Sequence, residues 1–271
     1  MAPTNEQNQY SYNDDQEHFE ALLRDICDRV APPDCESGLP ELSASDVAHC
    51  VNVHNQASRI AHYLDNPALT PLLKALVEES ARPLAAMETY FAVDGTVFGW
   101  NGAALRPWGV QCHLACGVKT GVIVAVEVGG ASDNSSRFLP GLLRTVKNSY
   151  PGAEAMSAGK AYLSRENFEV AGKLDMALYI PFKKNSVSSR PGWQESPAWN
   201  EALYLYRHDH EEFMRRYRPH SVVEDVMDTI EAGAGVCSHT GTGTTQLNRT
   251  LIEAAARNVR IVSELMCGAV A

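Results

Sequence analysis

No stretch of this chain approaches the ~18 consecutive apolar residues a membrane-crossing helix needs, so no span is expected. The first twenty residues, MAPTNEQNQYSYNDDQEHFE, place no basic segment before an apolar one, so no secretory signal is expected. Seven cysteines, odd in number and irregular in spacing, offer no disulfide framework. These absences point to a reduced, cytoplasmic protein. No internal repeat is present. Positive charge is also short: the net charge is −10. A protein that grips duplex DNA usually carries a basic face, because phosphate contacts supply much of the affinity. The deficit is confined, however. Residues 1–88 hold 15 acids against 5 Lys and Arg, whereas residues 89–271 hold 18 of each. The acidity counts against nucleic acid as a partner of the first part and leaves the second part neutral, with local basic clusters.

What is present is enough apolar material, 45% of 271 residues, for one medium domain and a smaller region. Residues 1–12 read as disordered. Asn13 to Val30 carries Phe19, Leu22, Leu23, Ile26 and Val30 at helical spacing, with acids toward its start, and predicts an amphipathic helix. A second helix is expected from Asp46 to Leu64, with serine caps before it, and a third from Leu72 to Glu79, capped at Thr70-Pro71. Residues 1–88 thus read as an acidic, all-α N-terminal region.

The texture changes at Tyr90-Phe-Ala-Val-Asp-Gly-Thr-Val97, an apolar β-branched run that ends on an acid and a glycine. It predicts a buried central strand that delivers the carboxylate of Asp94 to the rim of a sheet. Such a carboxylate is costly unless solvated, paired or bound to metal. The competing reading is a turn-initiating Asp-Gly-Thr at a strand end. Val110–Val118 and Val122–Val128 read as a hairpin about Lys119-Thr-Gly121. A helix is expected from Ser132 to Asn148, with Asp133 as a cap. A short strand follows at Glu154–Ala158, a helix from Ser164 to Lys173, and a strand from Met176 to Phe182. Further helices are expected at Ala198–Tyr206, Glu211–Tyr217, Ser221–Ala232 and Leu247–Met266, with a Gly/Thr-rich linker at Gly233–Thr245. Three strands, helix, strand, helix, strand describe a mixed sheet with helices packed on it.

Four stretches carry a resemblance: Phe91-Ala-Val-Asp94, His113-Leu-Ala-Cys-Gly-Val-Lys119, Lys160-Ala-Tyr-Leu-Ser-Arg-Glu-Asn167, and Tyr179-Ile-Pro-Phe-Lys183 with Asn185. Asn66 to Ser80 adds a fifth. In these the chain resembles a DDE transposase of bacterial insertion sequences, over about Tyr12 to Val270. The resemblance implies an α/β, ribonuclease H-like mixed sheet with flanking helices over residues 89–235, with a linker and a C-terminal helix over 236–271 packed on the same domain. It implies in-line phosphoryl transfer on double-stranded DNA, at transposon ends and then into target DNA. Three carboxylates would hold two Mg²⁺ ions that activate the attacking oxygen and stabilise the leaving one. The family's proteins generally assemble as dimers on paired ends.

The resemblance puts the first acid at Asp94 and the last at Glu224, both as metal ligands. The second should end the fourth strand just before Lys160, where this chain has Gly159. Asp133 is the nearest candidate to replace it; Glu154 would lie at the wrong end of its strand. The family's Tyr-x2-Arg-x3-Glu-x6-Lys signature becomes Tyr217, His220, Glu224 and Glu231, so the arginine is a histidine and the lysine an acid. Lys183 and Lys184, and Arg215, Arg216 and Arg218, are candidate phosphate contacts, against the simpler reading of a solvated surface.

Other motifs are discounted. Cys112-His113-x-x-Cys116 would place the thiols on one strand face and the imidazole on the other, which does not suit a structural zinc. His208-Asp-His210 reads as exposed, and Gly241-Thr-Gly243 lacks the strand and helix of a phosphate loop. The expectation is therefore a transposase whose nuclease is impaired. The alternative is a non-catalytic DNA-binding or assembly protein with the same fold, or a decayed element.

Overall fold

The computed structural model describes residues 64–100, 105–189, 196–235 and 242–268, and of residues 98–100, 105–109, 231–235 and 266–268 the backbone alone. The two helices expected before residue 64 lie outside the described residues.

The first described helix, α1 (Leu69–Ala81), starts earlier than expected. Thr70 lies within it rather than capping it, and its hydroxyl donates to Asn248 Oδ1 at 2.8 Å. Five strands follow in the expected order: β1 (Tyr90–Trp100), β2 (Leu105–Gly117), β3 (Ile123–Gly130), β4 (Ala155–Ala158) and β5 (Ala177–Tyr179). Between β3 and β4 runs α2 (Leu139–Ser149), and between β4 and β5 runs α3 (Arg165–Lys173). Then come α4 (Pro197–His208), α5 (His210–Tyr217), α6 (Ser221–Gly235) and α7 (Gly243–Gly268).

The sheet order is β3-β2-β1-β4-β5. β1 is antiparallel to β2, and β2 to β3, whereas β1, β4 and β5 run parallel. This is the mixed α/β sheet expected, with β1 at its centre. β5 is shorter than Met176–Phe182: its ladder with β4 runs only from Ala155↔Ala177 to Ser157↔Tyr179.

The pleat of β1 divides the core. Phe91 and Val93 enter a cluster with Leu139, Leu142 and Leu143 of α2 and Phe168 of α3. Ala92 enters the opposite cluster with Leu73 and Val77 of α1, Val223, Val226 and Met227 of α6, and Leu251 and Ala254 of α7. Burial of each large apolar side chain contributes roughly 1.5–3 kcal/mol. Both faces of β1 are thereby covered, which explains its near-continuous apolar run.

Local chemistry sets two boundaries differently from the sequence reading. After β3, Asp133 accepts from the Gly130 N–H at 2.9 Å and closes a turn, while Asn134 accepts from the Ser136 N–H at 3.1 Å and caps a single 3₁₀ turn. α2 therefore starts at Leu139, with Pro140 in its first turn, where a missing N–H costs nothing. At the other boundary, the Thr242 hydroxyl accepts from the Thr245 N–H at 3.2 Å. The Gly/Thr-rich segment thus ends in a helix start, and α7 begins four residues before Leu247.

Two buried polar side chains fix the sheet's connections. Glu88 takes the Thr120 N–H and hydroxyl, each at 2.7 Å, and the Lys119 N–H at 3.1 Å, so its carboxylate is satisfied by the β2–β3 turn. On α7, Asn258 accepts from the Ile123 N–H at 2.8 Å and donates to the Ile123 carbonyl at 2.8 Å and the Val77 carbonyl at 3.0 Å. Its amide pairs with β3 as a neighbouring strand would, and so covers part of a sheet edge.

Candidate active site

Asp94 shares the pleat face of Ala92, which is the face α6 covers. It is half-buried. The parallel register of β1 with β4 ends at Val93↔Ala158, so the chain leaves β4 at Gly159 directly beside Asp94. A Cβ on residue 159 would lie 3.8 Å from Asp94 Oδ1 and 3.8 Å from His220 Nε2, with nothing closer. A side chain at position 159 would therefore begin in ordinary contact with both Asp94 and His220.

Glu224 approaches the same point from α6. Its neighbours Val223, Val226, Met227 and Ile230 are buried, and Glu224 points off that stripe with 59% of its side chain exposed. An acid in the first turn is favoured by the helix dipole. One turn earlier, at the end of the single 3₁₀ turn Arg218–His220, His220 is buried at 4% exposure. Its Nε2 lies 4.0 Å from Glu224 Oε1, and its buried Nδ1 has no hydrogen-bond partner. The Tyr217 ring stacks on the imidazole at 5.0 Å. Burial, then the charges of Glu224 and Asp94, push the Tyr217 phenol up to about 12. Burial lowers the pKa of His220, and the same two carboxylates oppose that shift. Asp94, Gly159, Tyr217, His220 and Glu224 are thus brought together. Glu231 lies on α6 among residues of which only the backbone is described.

A second set of residues holds this arrangement, and the sequence reading did not assign it. The Gln111 amide nitrogen donates to the carbonyls of Ala131 at 2.8 Å and Asp133 at 3.0 Å, which turns its Oε1 toward His113. His113 must then donate from Nε2, at 3.0 Å, and accept at Nδ1 from the Tyr162 hydroxyl at 2.6 Å. Tyr162 ends the 3₁₀ turn that begins just after Gly159, so the bond ties that turn to β2. Burial raises the Tyr162 pKa, with the Asp94 charge adding to it, and burial holds His113 down at about 4. The available signal was the adjacency of Gly95 to Asp94: a Cβ there would meet His113 Nδ1 at 2.4 Å and the Tyr162 oxygen at 2.8 Å.

The remaining candidates take separate places. The Asp133 carboxylate is used locally, by the Gly130 N–H and by Arg137 at 3.5 Å. Glu154 precedes β4 and is exposed at the end opposite Gly159. Cys112 and Cys116 are buried against α6 and α7, their thiols pushed up to about 12 by burial, while His113 faces the other way. His208 and His210 are exposed, and Asp209 caps α5 through the Glu212 N–H at 3.0 Å.

Lys183 and Lys184 are exposed just past β5, which runs parallel to β4, so they leave the sheet at the same end as Gly159. Arg218 is exposed as well. Arg215 and Arg216 are already engaged. Arg215 holds Glu212 through two bonds of 2.6 and 2.7 Å, and Arg216 bonds Glu212 at 2.5 Å and the Tyr179 hydroxyl at 2.9 Å. Bonds from Arg215 and Arg216 hold the Glu212 carboxyl down at about 2.

Two Mg²⁺ ions do not fit these residues. Mg²⁺ takes oxygen donors in near-ideal octahedra, and the opening presents two carboxylates, an imidazole and a glycine. Among the described residues, no three His, Cys, Asp or Glu side chains stand close enough as they are to hold a metal ion.

No helix among the described residues is long and apolar enough to cross a membrane. No curated protein and no solved structure matches the chain. A family model described as "Transposase DDE domain" matches residues 86–258, more than half of the chain. That span begins just before β1, takes in Asp94, Gly159 and Glu224, and ends at Asn258 on α7. With its five-stranded mixed sheet and flanking helices in the ribonuclease H-like order, this chain belongs to the DDE transposase family.

Proposed function

We propose that this chain is a cytoplasmic DNA-transposition protein that binds double-stranded DNA at transposon ends as a dimer, with impaired end cleavage and strand transfer. The observation that carries the impairment is that residue 159, whose Cβ would lie 3.8 Å from Asp94 Oδ1, is a glycine and supplies no ligand. In-line phosphoryl transfer depends on charge stabilisation at both the attacking and the leaving oxygen. Asp94 and Glu224 alone leave that arrangement one carboxylate short. Lys183, Lys184 and Arg218, exposed near the site, are the groups we assign to DNA phosphate. Arg215 and Arg216 contribute less, because Glu212 neutralises part of their charge.

The same glycine favours a second reading, a DNA-binding or assembly protein that keeps the fold without the chemistry. Cleavage of a labelled duplex carrying the element's terminal sequences, with divalent metal, separates the two. Weak cleavage that Asp94→Ala abolishes supports the impaired transposase, and robust cleavage would refute impairment. Absent cleavage with a salt-dependent duplex shift supports the binding protein. Neither cleavage nor shift would mark a decayed element and defeat both readings.

A further inference from the structure

β5 is the last strand of the sheet, and its outer edge pairs with no strand. The Ala177 N–H donates to the Glu154 carbonyl at 2.8 Å, so the backbone of Ala177 turns toward β4. Successive residues of a strand turn their backbone groups to opposite sides, so the Leu178 N–H and carbonyl face away from β4. Neither meets another backbone group among the described residues, and Leu178 is buried to 4% exposure. Backbone groups left unpaired in such a place are costly unless a ligand or water takes them. The other edge of the sheet, at β3, has Asn258 to cover it.

The β5 edge lines a cleft of 490 Å³. Ala171 and Gly172 of α3 and Ala198 and Ala202 of α4 form its walls, and such small residues leave room beside the strand. The carboxylates of Glu154, Asp175 and Glu201 also line it. All three are exposed, with no ion pair to any of them among the described residues. The lining cation, Arg216, is already held by Glu212 and the Tyr179 hydroxyl. Glu154 and Asp175 stand before β4 and β5, so this acidic rim lies at the end of the sheet opposite Gly159.

We propose that the β5 edge docks an extended, basic peptide segment of a partner protein, which adds a strand to the sheet. Main-chain hydrogen bonds to Leu178 supply the pairing, and Lys or Arg side chains of the peptide meet Glu154, Asp175 and Glu201. β5 spans three residues, so roughly 10 Å of peptide is paired. The same carboxylates repel phosphate, which rules against nucleic acid as the occupant. Docking here is independent of DNA binding and cleavage at the other end of the sheet.

The test selects short peptides from a random displayed library on the full chain. The best of them, made synthetically, is then followed by fluorescence anisotropy and amide hydrogen exchange. Enriched peptides should carry Lys or Arg and lack proline in the paired stretch, and their binding should slow exchange at Leu178. N-methylation of every second peptide residue should abolish binding in one phase and spare it in the other, because an added strand turns only alternate N–H groups toward β5. Glu154→Lys with Glu201→Lys should weaken binding about tenfold. The N-methyl series uses the unsubstituted chain, so a folding defect in that variant cannot hide the answer. No enriched peptide, enrichment without basic residues, or unchanged exchange at Leu178 on binding would each overturn the proposal. So would equal tolerance of N-methylation in both phases, or full affinity in a charge-reversed variant that melts like the unsubstituted chain. Slow Leu178 exchange that depends on chain concentration alone would assign the edge to a second copy and overturn it too.

Discussion

The Tyr162 hydroxyl and His113 Nδ1 meet at 2.6 Å across 49 residues of chain, and the space through which they meet exists because residue 95 is glycine. The bond joins β2 to the turn that follows Gly159, so it sets where position 159 stands relative to Asp94. Gly95→Ala would place a Cβ 2.4 Å from Nδ1 and 2.8 Å from the hydroxyl oxygen. The bond must break or β1 must shift, at a cost on the order of 2–3 kcal/mol. Calorimetry should show the midpoint falling by about 4–10 °C. An unchanged midpoint would mean that the two side chains move aside freely and fix nothing.

His113 also predicts a pH dependence. Its pKa is about 4 in the folded chain against an ordinary value of 6.5, lowered by burial. The unfolded state therefore binds more protons between these values. The stabilisation from keeping the ring neutral is complete above pH 6.5 and is lost as pH falls toward 4, on the order of 3 kcal/mol in all. His113→Gln, which cannot titrate, should flatten the stability profile over that window. Parallel profiles for the two proteins between pH 4 and 6.5 would place the folded pKa of His113 near normal.

Asn258 is the polar counterpart on the opposite face of the sheet. Asn258→Ala strips partners from the Ile123 N–H and carbonyl and from the Val77 carbonyl, all of them buried. Unmade buried hydrogen bonds cost about 1–3 kcal/mol each, and some will find water. A loss of about 2–4 kcal/mol is expected, with faster amide exchange at Ile123 than in β1. Slow exchange at Ile123 in the variant would show that the β3 edge needs no cover from α7.

Glu212 limits the basic cluster on α5. Glu212→Ala removes the carboxylate that Arg215 and Arg216 share. Duplex DNA affinity should rise a few-fold at low salt, and the slope of log K against log salt should steepen by about 1, one further phosphate neutralised. Fluorescence anisotropy over a salt series reads both. A weaker affinity would mean that Glu212 orients the guanidinium groups for phosphate rather than withholding them.

How much of this was legible in the sequence depends on how local the signal is. β1, the hairpin, and the helices carrying Phe168 and Glu224 followed from periodicity, because each buries one face or both. Asp94 and Gly159 could be paired only through the family resemblance, since their contact is set by parallel strand register, which leaves no local trace. The helix start at Thr242 was missed because Gly-Thr-Gly reads as linker until Thr245 supplies the N–H that Thr242 accepts. His113 was weighed as a zinc ligand beside two cysteines, and the strand alternation that excluded zinc also pointed it at Tyr162, 49 residues away. His220 read as a damaged signature position. Its burial and its 4.0 Å approach to Glu224 have no trace in the local sequence.

The vacant position offers the most direct test. Gly159 has φ −62° and ψ 161°, a conformation any L-residue adopts, and a Cβ there makes only ordinary contacts. Gly159→Asp should therefore fold. It would also set a second carboxylate against Asp94, and two like charges that close destabilise each other until a cation lies between them. With chelator, the variant should melt below the unsubstituted chain by a few degrees. Millimolar Mg²⁺ should recover that loss in the variant and leave the unsubstituted chain unmoved. Mg²⁺-dependent cleavage of terminal duplex DNA should then exceed the unsubstituted chain's by at least tenfold, and Asp94→Ala in the same background should abolish it. If Gly159→Asp folds and gains the Mg²⁺ response but no cleavage, the missing carboxylate is not the main defect. The acid at Glu231, where the signature has lysine, would be the next residue to reverse.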